Sequence, residues 1–209
     1  MTTEVPTTPQ RTRTRQAAVD LYWLPLGAGG HFVRMNGRVY EALSAWRAKR
    51  PLRDLYHSAL VVTVPAGTFV IEQAWPIPGG AMERGVVAEG PVGARVGRRL
   101  RVFRYEVRCW RDGVISDLED AVASPQRLST DVDVGERLLE LVSQVPTHIW
   151  GRDEIGAGEM WNSNSLIAWL LVRGGIDIDA IALPSGGRAP GWMAGAAVAR
   201  RQALEQSAS

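Results

Sequence analysis

Asn162-Ser163-Asn164-Ser165-Leu166-Ile167-Ala168-Trp169-Leu170-Leu171-Val172 sets four polar residues before seven apolar ones, and Gly174-Gly175 closes the run. Asn and Ser side chains accept hydrogen bonds from the unpaired N–H groups of a first helical turn, and glycine ends helices readily. The stretch therefore predicts a helix that opens at Asn162 and is apolar around its whole circumference. Such a helix must be wrapped by other elements. A hydroxyl at its mouth sits among unpaired N–H groups at the positive end of the helix dipole. Ser163 is then either a capping residue or a nucleophile.

The segments upstream supply the wrapping. Leu55 to Val64 (LYHSALVVTV) is β-branched and apolar on both faces, as a central strand is. Pro65-Ala66-Gly67 turns the chain, and Thr68 to Trp75 (TFVIEQAW) returns as the second arm of a hairpin. Asp20 to Leu26 reads as a short strand and Leu100 to Trp110 as another. In the latter, Phe103, Tyr105, Val107 and Cys109 share one face, and Arg104, Glu106 and Arg108 share the other. Helices are expected over Val39–Arg50, over Val134–Val145 with Leu138, Leu139, Leu141, Val142 and Val145 inward, and over Trp192–Gln206. The fold class is α+β, an antiparallel sheet packed against a buried helix.

A length of 209 residues suits one domain, here expected over 17–209 behind a disordered tail at 1–16 that is rich in Thr, Pro and Arg. Forty-five per cent hydrophobic residues and eight tryptophans provide a sizeable core. The net charge of +2 gives no reason to expect nucleic acid. Cys109 is the single cysteine, which excludes an internal disulfide and a multi-cysteine metal site. The chain has neither a secretory h-region nor a membrane-spanning apolar run, so the expected location is the cytoplasm.

Three residue types that together perform nucleophilic chemistry recur in this frame. His57 sits near the start of the most apolar strand, where an imidazole needs partners. Glu72 is a carboxylate inside the returning strand, and a hairpin brings it towards the His57 end. Ser163 supplies the hydroxyl. Nucleophile, base and orienting carboxylate would then be Ser163, His57 and Glu72. The bland alternatives are a helix cap, a hydrogen-bonded core histidine and a carboxylate paired with arginine.

His57-Ser58-Ala59-Leu60-Val61-Val62 followed much later by Asn162-Ser163-Asn164-Ser165-Leu166 resembles the permuted papain-like, NlpC-type superfamily, which includes lecithin:retinol acyltransferase-like proteins and desumoylating isopeptidases. The resemblance covers Leu55 to Val172. It implies a papain-like fold in permuted order and hydrolysis or transfer of an amide or ester group on a peptide, amide or lipid-like substrate. It also implies an oxyanion site at the Ser163 N–H with the Asn162 or Asn164 side chains, and no metal or organic cofactor. Serine stands where the relatives carry cysteine, and a hydroxyl is far too weak an acid to be held as its anion by a helix dipole. Ser163 would need His57 as a true general base. Failing that, the chain is a catalytically inactive binding module.

Other features have mostly structural readings. Trp150 and Trp161 flank the approach to Ser163 and are expected to wall a substrate groove. Asp153, Glu154 and Glu159 read as a solvated charge cluster rather than a metal site. The arginines at 95, 98, 99, 101, 104, 108 and 111 read as a solvated outer sheet face, or as the contact for an anionic partner. Gly27-Ala28-Gly29-Gly30 reads as a turn, since no lysine or following helix makes it a phosphate loop.

Overall fold

The computed structural model describes residues 16–26, 49, 51–76, 84–115 and 117–208. The tail up to residue 15, the glycine turn at 27–30, His31 and nearly all of the helix expected over Val39–Arg50 lie outside them. Among the described residues the architecture is α+β. Six strands, β1 (Ala18–Pro25), β2 (Tyr56–Val64), β3 (Gly67–Ala74), β4 (Val86–Pro91), β5 (Arg104–Arg111) and β6 (Val122–Ser129), precede three helices, α1 (Val132–Leu141), α2 (Ser163–Arg173) and α3 (Trp192–Ser207). The strands form one sheet in the order β4-β5-β3-β2-β1-β6, and every neighbouring pair is antiparallel.

The sheet has two unlike faces because side chains alternate along each strand. Val19, Leu21 and Trp23 of β1, Leu60, Val62 and Val64 of β2, Ile71 of β3, and Tyr105 and Val107 of β5 point to the side that carries the helices, in one continuous core. Leu24, Ala59 and Val70 point the other way and meet Ile115 in a smaller cluster. β2 is apolar on both faces because each face is covered.

Helix α2 is the centre of the larger core, with every residue from Ser163 to Leu171 buried. Eleven residues make a helix that is marginal alone. Burying Leu166, Ile167, Leu170 and Leu171 completely contributes roughly 6–12 kcal/mol before the entropic cost of ordering, so packing holds α2 far more than propensity does. Helix α3 lies directly on it. A Cβ at Gly195 would stand 2.1 Å from the backbone oxygen of Ser165, so only glycine allows this approach.

Several expected boundaries shift. The strand expected from Leu100 begins at Arg104, and residues Arg101–Phe103 form a 3-10 turn that leaves Phe103 exposed. The helix expected over Val134–Val145 starts at Val132, capped by the Asp131 carboxylate, and tightens to 3-10 geometry after Leu141. β4 and β6 were not expected. They are the two edges of the sheet, where Pro91 and Pro125 are tolerated because one side of an edge strand needs no ladder donor.

Replacing Gly195 by alanine should destabilise the protein by about 1–3 kcal/mol through overpacking at the α2–α3 contact. Urea denaturation measures this; an unchanged midpoint would mean that the two helices are not so closely apposed.

Candidate functional site

The Asn162–Ser165 stretch forms the N-terminus of α2, and three of its four residues are consumed by structural hydrogen bonds. Asn162 is the N-cap: its carbonyl oxygen accepts from the N–H groups of Asn164 and Ser165 at 2.9 and 3.3 Å, and its amide donates to the Pro190 carbonyl. The Ser165 hydroxyl accepts from the Asn162 N–H and donates to the Gly191 carbonyl, completing a capping box. Gly191, at φ +86°, leaves room for this crossing, since a Cβ there would lie 2.7 Å from the Ser165 hydroxyl. Asn164 ties three parts of the chain together. Its amide nitrogen donates to the Tyr56 and Pro190 carbonyls, each at 2.9 Å, and its oxygen accepts from the Ser58 hydroxyl at 2.9 Å.

Ser163 is different. It is buried, yet neither its N–H nor its hydroxyl has a hydrogen-bond partner among the described residues. It faces a cavity of about 440 Å³, within the range of small-molecule sites. Tyr56, Trp75 and Trp150 supply aromatic wall, with Leu26, Leu55, Val92, Met160 and Pro190 around them. The Trp75 and Trp150 rings pack 5.1 Å apart, and Tyr105 meets the Trp150 edge from below. Arg152 contributes to the lining, and its guanidinium makes no ion pair among the described residues.

The expected catalytic trio does not converge. Ser58 points from β2 to the helix side, where it bonds Asn164. His57, the adjacent residue, therefore points to the opposite face with Ala59, in the direction of the smaller cluster. Burial there pushes the imidazole down to about 4. His57 is neither in the lining of the Ser163 cavity nor placed to take a proton from that hydroxyl. Glu72 is on the far face too, and its carboxylate receives Arg108, not His57. Burial raises the Glu72 carboxyl above its usual range, and Arg108 only partly offsets this.

Other expectations on the site divide. Trp150 does wall the cavity, but Trp161 is buried in the core with its ring against His148, 4.9 Å between centroids. Asn162 and Asn164 border the cavity; the Asn164 amide gives both its N–H bonds to the Tyr56 and Pro190 carbonyls, and the Asn162 amide gives one to Pro190. The acidic cluster is not merely solvated. Asp153 accepts the Ala157 and Gly158 N–H groups, Glu154 accepts the Ile149 N–H and pairs with Arg95, and Glu159 accepts the Gly191 N–H at the entry to α3. Among the described residues no group of three or more His, Cys, Asp or Glu is arranged to hold a metal ion.

Within the arginine run Arg95, Arg99, Arg101 and Arg111 are exposed, as expected, but Arg108 is buried. Arg84 and Arg108 both donate to the fully buried Glu106, at 2.6 and 2.9 Å, and Arg108 continues to Glu72 and the Trp75 carbonyl. Burial alone would raise the Glu106 carboxyl, but the two guanidinium groups hold it below its usual range. Tyr56, Trp75 and Arg152 were not anticipated as lining residues. No spacing in the sequence links them, because strand ends and a loop bring them together. No family model matches the chain, and neither a curated protein nor a solved structure matches it.

Two outcomes separate the structural from the open residues. Asn164→Ala should cost about 2–3 kcal/mol, since it leaves the buried Ser58 hydroxyl and the Tyr56 carbonyl unpaired, whereas Ser163→Ala should stay within about 0.5 kcal/mol. Equal losses in urea denaturation would refute this division. His57 is fully favourable in its neutral form above pH 6.5, and its folded value near 4 lies below its unfolded one. The unfolded chain therefore binds more protons between those limits, and stability falls as pH drops through that window. His57→Gln should flatten that part of the stability–pH curve.

Proposed function

We propose that the chain is a ligand-binding module of permuted papain-like architecture with no turnover at Ser163. Its ligand has an apolar, partly aromatic body and one anionic or strongly accepting end. The observation that carries this reading is the Ser163 residue itself: an unpaired N–H and an unpaired hydroxyl at the mouth of α2, facing an aromatic-walled cavity, with His57 on the other side of the sheet.

The chemistry follows from what the cavity offers. Asn162 takes the N–H groups of the second and third helical positions, so one first-turn N–H, that of Ser163, is left to bind an acceptor. The helix dipole favours negative charge at the same point. Arg152 adds a cation on the lining. Tyr56, Trp75 and Trp150 offer flat apolar surface for the rest of the molecule. A serine hydroxyl without a general base is a donor for recognition and not an effective nucleophile. The order of elements, with sheet strands first and the capped helix later, supports the permuted papain-like architecture.

Titration with 8-anilinonaphthalene-1-sulfonate, a fused aromatic with an anionic end, tests the reading. The expected result is a saturable fluorescence rise, weakened about tenfold in Arg152→Gln and more in Trp150→Ala, with circular dichroism unchanged. Binding that ignores both substitutions would remove the cavity from consideration. Labelling by a fluorophosphonate probe that disappears in Ser163→Ala would restore the hydrolase or acyltransferase reading.

A further inference from the structure

We propose that the segment from Arg95 to Phe103 is a docking surface for an anionic lipid membrane, placed so that it brings the rim of the Ser163 cavity to the headgroup layer. The surface stands on observations separate from those that assign the cavity a ligand. Two 3-10 turns, Arg95–Arg99 and Arg101–Phe103, carry the chain between β4 and β5. Among the described residues, four of the thirteen large hydrophobic residues that are exposed fall in this short stretch: Val96 at 83%, Leu100 at 59%, Val102 at 66% and Phe103 at 44%. Arginines 95, 98, 99, 101 and 104 alternate with them, and no acidic residue occurs between Glu89 and Glu106.

Folding gains nothing from leaving four hydrophobic side chains in water, and clustering distinguishes them from singly scattered exposed residues. The charge pattern selects the partner. Arg99 is exposed with no ion pair among the described residues, while Arg95 and Arg104 are held on the protein by Glu154 and Glu89. The base of the segment is thus fixed and its outer arginine is open. Bare polyanions such as nucleic acids would use the arginines and the Phe103 ring but have no use for Val96, Leu100 and Val102, since bases stack on aromatic rings and not on aliphatic chains. A membrane surface uses both: phosphate groups take the guanidinium groups, and the boundary of headgroup and acyl chain takes the aliphatic side chains. The placement matters as well. Val92 and Gly93, immediately before the segment, line the cavity, and the Gly93 N–H donates to the Trp150 carbonyl at 3.1 Å.

Co-sedimentation of the full chain with vesicles decides the matter. At about 0.1 M salt, where charges beyond ~10 Å are screened, the protein should pellet with phosphatidylcholine vesicles containing about one-third phosphatidylglycerol, and not with phosphatidylcholine alone. Arg99→Gln should weaken binding about fivefold, and Leu100→Asp or Val102→Asp at least tenfold. These positions are exposed, so circular dichroism should show each variant folded. Absence of pelleting with the anionic vesicles would overturn the proposal. So would pelleting that Leu100→Asp leaves unchanged, or binding to heparin or single-stranded RNA that equals vesicle binding and ignores Leu100→Asp.

Discussion

The Asn164 side chain is the joint on which the cavity depends. Its amide spans the start of β2, the mouth of α2 and the loop at Pro190, and all three of its hydrogen bonds are internal. Nothing else among the described residues joins these three parts through one side chain. The joint is buried at 2% exposure, where a lost hydrogen bond is costly, and its geometry fixes where Ser163 stands. The cavity wall is assembled around that fixed point: Tyr56 from the strand, Pro190 from the loop, and Trp150 packed on Trp75 from the side.

A single residue of offset along β2 separates two very different proteins. Ser58 reaches the helix and completes the Asn164 joint; His57, one residue earlier, faces the sheet's other side. Among the described residues no histidine lines the cavity beside the Ser163 hydroxyl, and Glu72 is committed to the arginine network of the far face. Recognition by N–H, hydroxyl and aromatic surface is the chemistry that such an arrangement supports.

Much of the fold could be read from the residues, and the reasons for success and failure are physical. The β2–β3 hairpin and α2 carry dense apolar patterns bounded by Pro-Ala-Gly, by Asn-Ser and by Gly-Gly, so burial and turn chemistry agree. β4 and β6 escaped because edge strands accept proline, glycine and charge, and VASPQRLS looks like a loop until β1 pairs with it. The site was half legible. The polar run opening α2 marked Ser163, but a list of residue types does not reveal which face of a strand a histidine occupies. Glu106 and Arg108 looked solvated because alternation shows which residues share a face and not whether that face is covered.

Strand parity carries a lesson about how such sites arise or are lost. Side chains change sides with every residue, so a one-residue shift in the register of β2 would carry His57 to the place Ser58 now holds, and would turn Leu60 and Val62 away from the helix-side core. The imidazole would then look onto the mouth of α2, and the amide of Asn164 would lose its hydroxyl partner. An imidazole and the Ser58 hydroxyl cannot occupy that spot together, and in this chain it holds the hydroxyl that closes the Asn164 joint.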